Sequence, residues 1–128
     1  MRLRSYLDRP FDLIHSRDEI RVEQLRIEET LPDRQAALDG RLRFLDGSLL
    51  EFAETITVRG VVLVKSEYAY HFQTADSRLI FRYDNAPHHP ELSGFPEHKH
   101  EGERITSSPA PDLGQVLRQI DGYLYHSS

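Results

Sequence analysis

Residues Val61 to Asp84 read VVLVKSEYAYHFQTADSRLIFRYD, and this stretch decides the fold. Its period is two, which is the period of a β-strand. One face of the first run carries Val62, Val64, Ser66, Tyr68, Tyr70 and Phe72. The other carries Val61, Leu63, Lys65, Glu67, Ala69, His71 and Gln73. Thr74 to Ser77 reads as a four-residue turn and Arg78 to Asp84 as the return strand. In that register Phe72 faces Leu79, Tyr70 faces Phe81 and Tyr68 faces Tyr83, while His71 faces Ile80 and Ala69 faces Arg82. The hairpin then has an aromatic face and a polar face with Glu67, His71, Gln73, Arg78, Arg82 and Asp84. Aromatics paired across strands are the ordinary way to hold a sheet, so core packing is preferred over a base-stacking platform.

The same period runs upstream. Leu38, Gly40, Leu42 and Phe44 alternate, as do Leu50, Phe52, Glu54, Ile56 and Val58. Asp46-Gly47 between them is a hairpin signal. A two-residue loop would put the two apolar sets on opposite faces. A three-residue loop, Asp46-Gly47-Ser48, pairs Phe44 with Leu50 and Leu42 with Phe52, with Gly47 or Ser48 at positive φ. Arg59-Gly60 makes the next turn. Further up, Ile20 and Val22 are out of phase with Leu25 and Ile27, so one strand there needs a bulge at Glu23-Gln24.

The ends read as helices. Leu3, Tyr6, Leu7, Phe11 and Ile14 have roughly helical spacing, interrupted by Pro10. A short or broken helix capped by Asp8, with Pro10 in its first turn, satisfies the proline. Leu113, Val116, Leu117, Ile120 and Leu124 mark a second helix from about Leu113 to Ile120 or a little beyond, with Gly122 near its end. Asp112 and Gln115 form its capping box. The expected fold is α+β: an antiparallel meander of about five strands, with an N-terminal and a C-terminal helix packed on one face. A single domain spans residues 1–128, with 85–106 as a His- and Pro-rich functional loop.

Composition narrows the chemistry. The 128 residues hold 16 Lys+Arg against 21 Asp+Glu, a formal net charge of -5, which disfavours bulk DNA binding. There is no Cys, which excludes a thiol nucleophile, a disulfide scaffold, an Fe–S cluster and a Cys-type zinc site. No apolar run approaches the roughly 18 residues of a membrane helix, and no apolar segment follows the basic Met1-Arg2-Leu3-Arg4 start. A cytoplasmic protein with no membrane partner is expected.

Five of the seven His, namely His71, His88, His89, His98 and His100, lie within 30 residues of one another. Gln73, Arg82, Asp84, Asn85 and Lys99 share that stretch, and Tyr70 precedes it. One reading is RNA cleavage. Two imidazoles can take the 2′-hydroxyl proton and protonate the leaving oxygen, and Arg82 or Lys99 can stabilise the charge on phosphorus. His71 is then base or acid, with His88, His89, His98 or His100 as its partner. Tyr70, Gln73, Asp84, Asn85 and Lys99 are candidate substrate contacts. This reading needs no cofactor. The alternative is a metal: His98-x-His100 with His88, His89 or Asp84 could hold Zn²⁺ or Mn²⁺. The plain alternative is a solvated sheet face on which Arg82 pairs with Asp84 or Glu67.

Three motifs carry a family resemblance. They are Tyr68-x-Tyr70-His71-x-Gln73, the run from Leu79 through Arg82, Asp84, Asn85, Pro87, His88 and His89 to Glu91, and Phe95-Pro96-x-His98-Lys99-His100. Together they resemble the TumE family, toxins of bacterial toxin–antitoxin pairs. The family commonly has a second His where Glu97 stands here. The resemblance implies a small toxin with a cognate antitoxin encoded nearby. Non-catalytic partner binding through the His-rich loop and nucleotide transfer to RNA are the competing functions. An exposed edge such as Ile20–Ile27 invites an antitoxin strand or a homodimer.

Overall fold

The computed structural model describes residues 2–85, 97–101 and 104–126. The chain runs α1 (Arg2–His15), β1 (Arg21–Leu31), β2 (Gln35–Arg43), β3 (Leu49–Arg59), β4 (Val62–Gln73), β5 (Leu79–Asp84), β6 (His98–Glu101), β7 (Arg104–Ser107) and α2 (Leu113–His126). Among the described residues the strands form one seven-stranded sheet in chain order, each antiparallel to the next. The α+β meander with a helix at each end is as expected, and the strand count is larger than about five. The additional hairpin β6–β7 lies inside the stretch expected to be loop. Its strands have four residues each, too short for alternation to be legible.

The turns set the register. Phe44 N–H donates to Ser48 O at 3.0 Å, and Gly47 N–H to Phe44 O at 3.0 Å. The β2–β3 loop is therefore Leu45-Asp46-Gly47, one residue earlier than expected. Leu42 pairs with Leu50 and Gly40 with Phe52, in place of Leu42 with Phe52. The parity is unchanged, so the apolar sets still share a face. Gly47 takes the positive φ, at 84°. Ser48 N–H donates to Asp46 Oδ1 at 2.9 Å, which locks the earlier turn.

The β4–β5 connection repeats this geometry. Thr74 N–H bonds Arg78 O and Ser77 N–H bonds Thr74 O, with Ser77 at φ 69°. The loop is Ala75-Asp76-Ser77, and the register moves with it. Tyr70 faces Tyr83, Phe72 faces Phe81, His71 faces Arg82 and Ala69 faces Asp84, with Ile80 as the extra residue of a bulge. The expected pairs are each displaced by two, one residue from a turn read one too long and one from the bulge at Ile80.

The bulge expected at Glu23 is present between Val22 and Gln24. Another, like that at Ile80, was not foreseen. Thr55 pairs with Glu67 and Ile56 with Lys65, leaving Ser66 as the extra residue. It shifts the alternation, so Lys65 points to the core face rather than the polar one. Ser66 Oγ secures the kink against Thr55 O at 3.2 Å and Thr57 Oγ1 at 3.0 Å.

Both helices cover the same sheet face. Leu113, Val116, Leu117 and Ile120 pack with Leu42, Phe44, Leu50, Phe72 and Phe81. Leu3 and Leu7 pack with Ala36 and Ile56. Each such buried side chain contributes about 1.5–3 kcal/mol. Helix α1 is continuous through Pro10 and is not capped by Asp8. Its stripe Leu3, Leu7, Pro10 and Ile14 is buried, and that packing outweighs the one hydrogen bond lost at Pro10. Helix α2 has the expected capping box: Asp112 N–H donates to Gln115 Oε1 at 2.8 Å and Gln115 N–H to Asp112 Oδ1 at 2.7 Å. It continues past Gly122 to His126, carrying Tyr123 onto Phe72 with ring centroids 5.5 Å apart.

Candidate functional site

Directly paired residues of an antiparallel sheet share a face, so the register alone builds a row across five strands. Arg41 of β2 faces Glu51 of β3, which faces His71 of β4, which faces Arg82 of β5, which faces His100 of β6. The next row is Asp39, Ala53, Ala69, Asp84 and the backbone of His98. Both rows lie on the face opposite the helices.

The polar contacts link these residues. His71 Nδ1 lies 3.3 Å from Arg82 Nη1 and His71 Nε2 lies 3.2 Å from Gln73 Oε1. A guanidinium can only donate, so Nδ1 accepts and Nε2 carries the proton that Gln73 receives. Arg82 Nε donates to Asp84 Oδ2 at 2.7 Å. His100 Nε2 stands 3.8 Å from the same oxygen. Asp84 is 2% exposed, so this carboxylate is desolvated between a guanidinium and an imidazole. Arg82 thus sits between two imidazoles, on strands spaced about 4.8 Å apart.

Ala53 and Ala69 keep the floor low beside this cluster. Two depressions of about 470 Å³ each meet there, sharing Ala53, Ala69 and Arg82. Glu51, His71, Asp39 and Gln24 line one, and Thr55, Glu67, Asp84 and Asn85 line the other. Together they form a trough bordered by Arg82, with His71 in its lining and His100 behind Arg82, outside it.

The expected residues do not all converge. His71, Gln73, Arg82, Asp84 and His100 come together. Lys99 does not: it pairs with Tyr83 on the helix-covered face, its Nζ 5.0 Å from that ring and 3.8 Å from Glu101. A strand alternates, so neighbours in sequence point to opposite faces, and Lys99 cannot join His100. Tyr70 is likewise on the core face and fully buried. Asn85 is a clamp: its Oδ1 accepts from Tyr68 N–H at 3.0 Å and its Nδ2 donates to Ser66 O at 2.9 Å. His88 and His89 lie outside the described residues, and with them the metal set of which they were part. Among the described residues, no three His, Asp or Glu side chains gather as metal ligands.

Sequence reasoning missed a second polar centre. Glu54, 3% exposed, accepts from the Tyr6 hydroxyl at 2.6 Å and from the Tyr70 hydroxyl. Lys65 Nζ donates to Tyr70 Oη at 2.6 Å and to Pro111 O at 2.9 Å, and lies 3.4 Å from Glu54. Burial and the adjacent carboxylate push the Tyr6 and Tyr70 hydroxyls far above their ordinary range. The signal was a carboxylate at an apolar phase of β3, which requires a buried partner. This centre borders the larger cleft of about 680 Å³ between α1 and α2, lined by Arg9, Asp12, Asp112 and Arg118 and by no imidazole. His71 and His100 are on the opposite face of the sheet.

A family model described as Toxin TumE matches residues 10–124 of the chain. No curated protein and no solved structure matches it.

Proposed function

The chain belongs to the TumE toxin family and is the toxin component of a toxin–antitoxin pair, and we propose that it acts as an endoribonuclease through His71, Arg82 and His100. The observation that carries this reading is the Arg82 guanidinium placed between two imidazoles and anchored by buried Asp84. A phosphodiester in the trough draws the Nη groups of Arg82 while Nε stays on Asp84. That movement releases the Nδ1 lone pair of His71, which takes the 2′-hydroxyl proton. The 2′-oxygen forms a bond to phosphorus and the bond to the 5′-oxygen breaks. His100, whose imidazolium Asp84 is placed to stabilise, protonates that leaving oxygen. The products are a 2′,3′-cyclic phosphate and a 5′-hydroxyl. Arg82 stabilises the charge on the phosphoryl oxygens throughout, so the step needs no metal.

Induction of the wild-type toxin without its antitoxin, beside His71→Ala and His100→Ala, tests the assignment. The expected result is growth arrest with fragmented RNA for wild type, and growth with intact RNA for both variants. Arrest by folded variants at the wild-type level would overturn it. Arrest with RNA intact in length but altered in mass would favour nucleotide transfer instead. Cleavage lost to EDTA and restored by Zn²⁺ or Mn²⁺ would favour a metal centre.

A further inference from the structure

Among the described residues, strand β1 pairs with β2 alone and forms one edge of the sheet. It is 11 residues long, unlike the four-residue strand at the opposite edge. A long unpaired edge offers a row of backbone N–H and C=O groups to another strand. Its register breaks at Glu23 and between Glu29 and Leu31, which leaves Gln24 to Glu29 as a regular window.

We propose that this edge binds a second copy of the same chain, β1 against β1, to make one continuous antiparallel sheet. Charge complementarity selects the occupant and the register. A two-fold axis normal to the sheet keeps both trough faces on one side and pairs residues of equal parity. Centred on Leu25, it sets Gln24 against Arg26 and Glu23 against Ile27. Centred on Arg26, it sets Arg26 against itself; centred on Glu28, it sets Glu28 against itself. Like charges directly opposed are unfavourable. Centred on Ile27, it sets Arg26 of each copy against Glu28 of the other. On the core face, Ile27, packed at the margin of both apolar clusters, then meets Ile27 of the second copy. The Arg26 and Glu28 side chains are each 54% exposed; within the chain Arg26 pairs with Asp39 at 2.7 Å and with Glu28 at 3.3 Å, a network that Glu28 of the second copy extends. The troughs of the two copies then open on the same side of the doubled sheet.

The test is a charge exchange read by sedimentation or light scattering at tens of micromolar. Wild type is expected at about twice the 14.9 kDa chain mass. Arg26→Glu alone and Glu28→Arg alone are expected as monomers, since each opposes like charges at both contacts. Mixed in equal amounts they are expected to form a heterodimer, because every contact is again of opposite sign. A monomeric wild type, unchanged dimers in both variants, or a mixture that stays monomeric would overturn the proposal. An Ile27→Cys variant gives an independent readout in this cysteine-free chain. On the axis it is expected to cross-link on oxidation, whereas Gln24→Cys, off the axis, is not. An Ile27→Cys chain that stays uncross-linked would also overturn it. So would β1 amides that become protected from exchange only when the antitoxin is added, which would assign the edge to an antitoxin strand.

Discussion

The Nδ1 atom of His71 accepts from Arg82, 3.3 Å away, and the same guanidinium holds the buried carboxylate of Asp84 at 2.7 Å. The two contacts need a forked cation. Arg82→Lys keeps the charge but cannot span both groups. Toxic activity should fall by about 10²–10³-fold, on the scale of losing a transition-state donor, while the melting temperature changes little. Growth arrest on induction, together with a thermal melt of the purified variant, checks this. A lysine variant of full toxicity would show that the fork is not used.

The buried centre around Glu54 should dominate stability. Glu54→Ala leaves two tyrosine hydroxyls inside the protein without their acceptor and Lys65 without its counter-charge. The expected loss is about 3–5 kcal/mol in urea unfolding, as for other broken buried pairs. Conversion to wild-type stability by any surface-charge change would be inconsistent with that account.

The same centre sets an alkaline limit. Tyr6 and Tyr70 have folded-state pKa values raised above the ordinary 10.0, chiefly by burial. The unfolded chain loses these protons first, so stability is complete below about pH 10 and declines as pH rises beyond it. Melting temperatures measured from pH 8 to 11 should fall steeply at the upper end. Tyr70→Phe should be less stable at pH 8 and show a flatter decline.

Glu23 sets an acid one. At the β1 bulge it accepts from Arg43, Arg41 and Arg21, and these bonds hold its pKa at about 2, below the ordinary 4.5. Its contribution is present above pH 4.5 and is lost as pH falls toward 2. An NMR titration of its side-chain carboxyl should have its midpoint near 2. Glu23→Gln should flatten the acid limb of the stability profile, and a midpoint in the ordinary range would show the three arginines to be solvated instead.

Much of this was legible in the sequence, for a physical reason. Alternation fixes which residues share a face under any register change by two, because such a change preserves parity. His71 and Arg82 were therefore placed together, since the bulge at Ile80 offsets the one-residue error in the β4–β5 turn. The bulge at Glu23 was readable because it breaks an apolar phase. That at Ser66 was not, since Val62, Leu63 and Val64 are apolar on both phases and Lys65 hides the change. Lys99 was assigned to the site by nearness in sequence, a criterion that fails within a strand. The short strands β6 and β7 lack the length to show a period at all.

Gly40 tests the packing beneath the trough. A Cβ there would lie 2.6 Å from Cε1 of Phe52, a ring only 4% exposed. Gly40→Ala should cost about 1–3 kcal/mol, measured by urea unfolding, because the ring has nowhere to move. A neutral effect would mean that the β2–β3 surface is more yielding than this packing allows.

The central claim is that the imidazoles flanking Arg82 cut RNA, and the products of a purified reaction test it most directly. The full chain is incubated with an end-labelled single-stranded RNA, with and without EDTA. The account predicts fragments ending in a 2′,3′-cyclic phosphate and starting with a 5′-hydroxyl, formed equally with EDTA. It predicts none from His71→Ala or His100→Ala, and none where the scissile nucleotide lacks its 2′-hydroxyl. Intact RNA with the wild-type protein, or fragments from the His71→Ala protein at the wild-type rate, would contradict it.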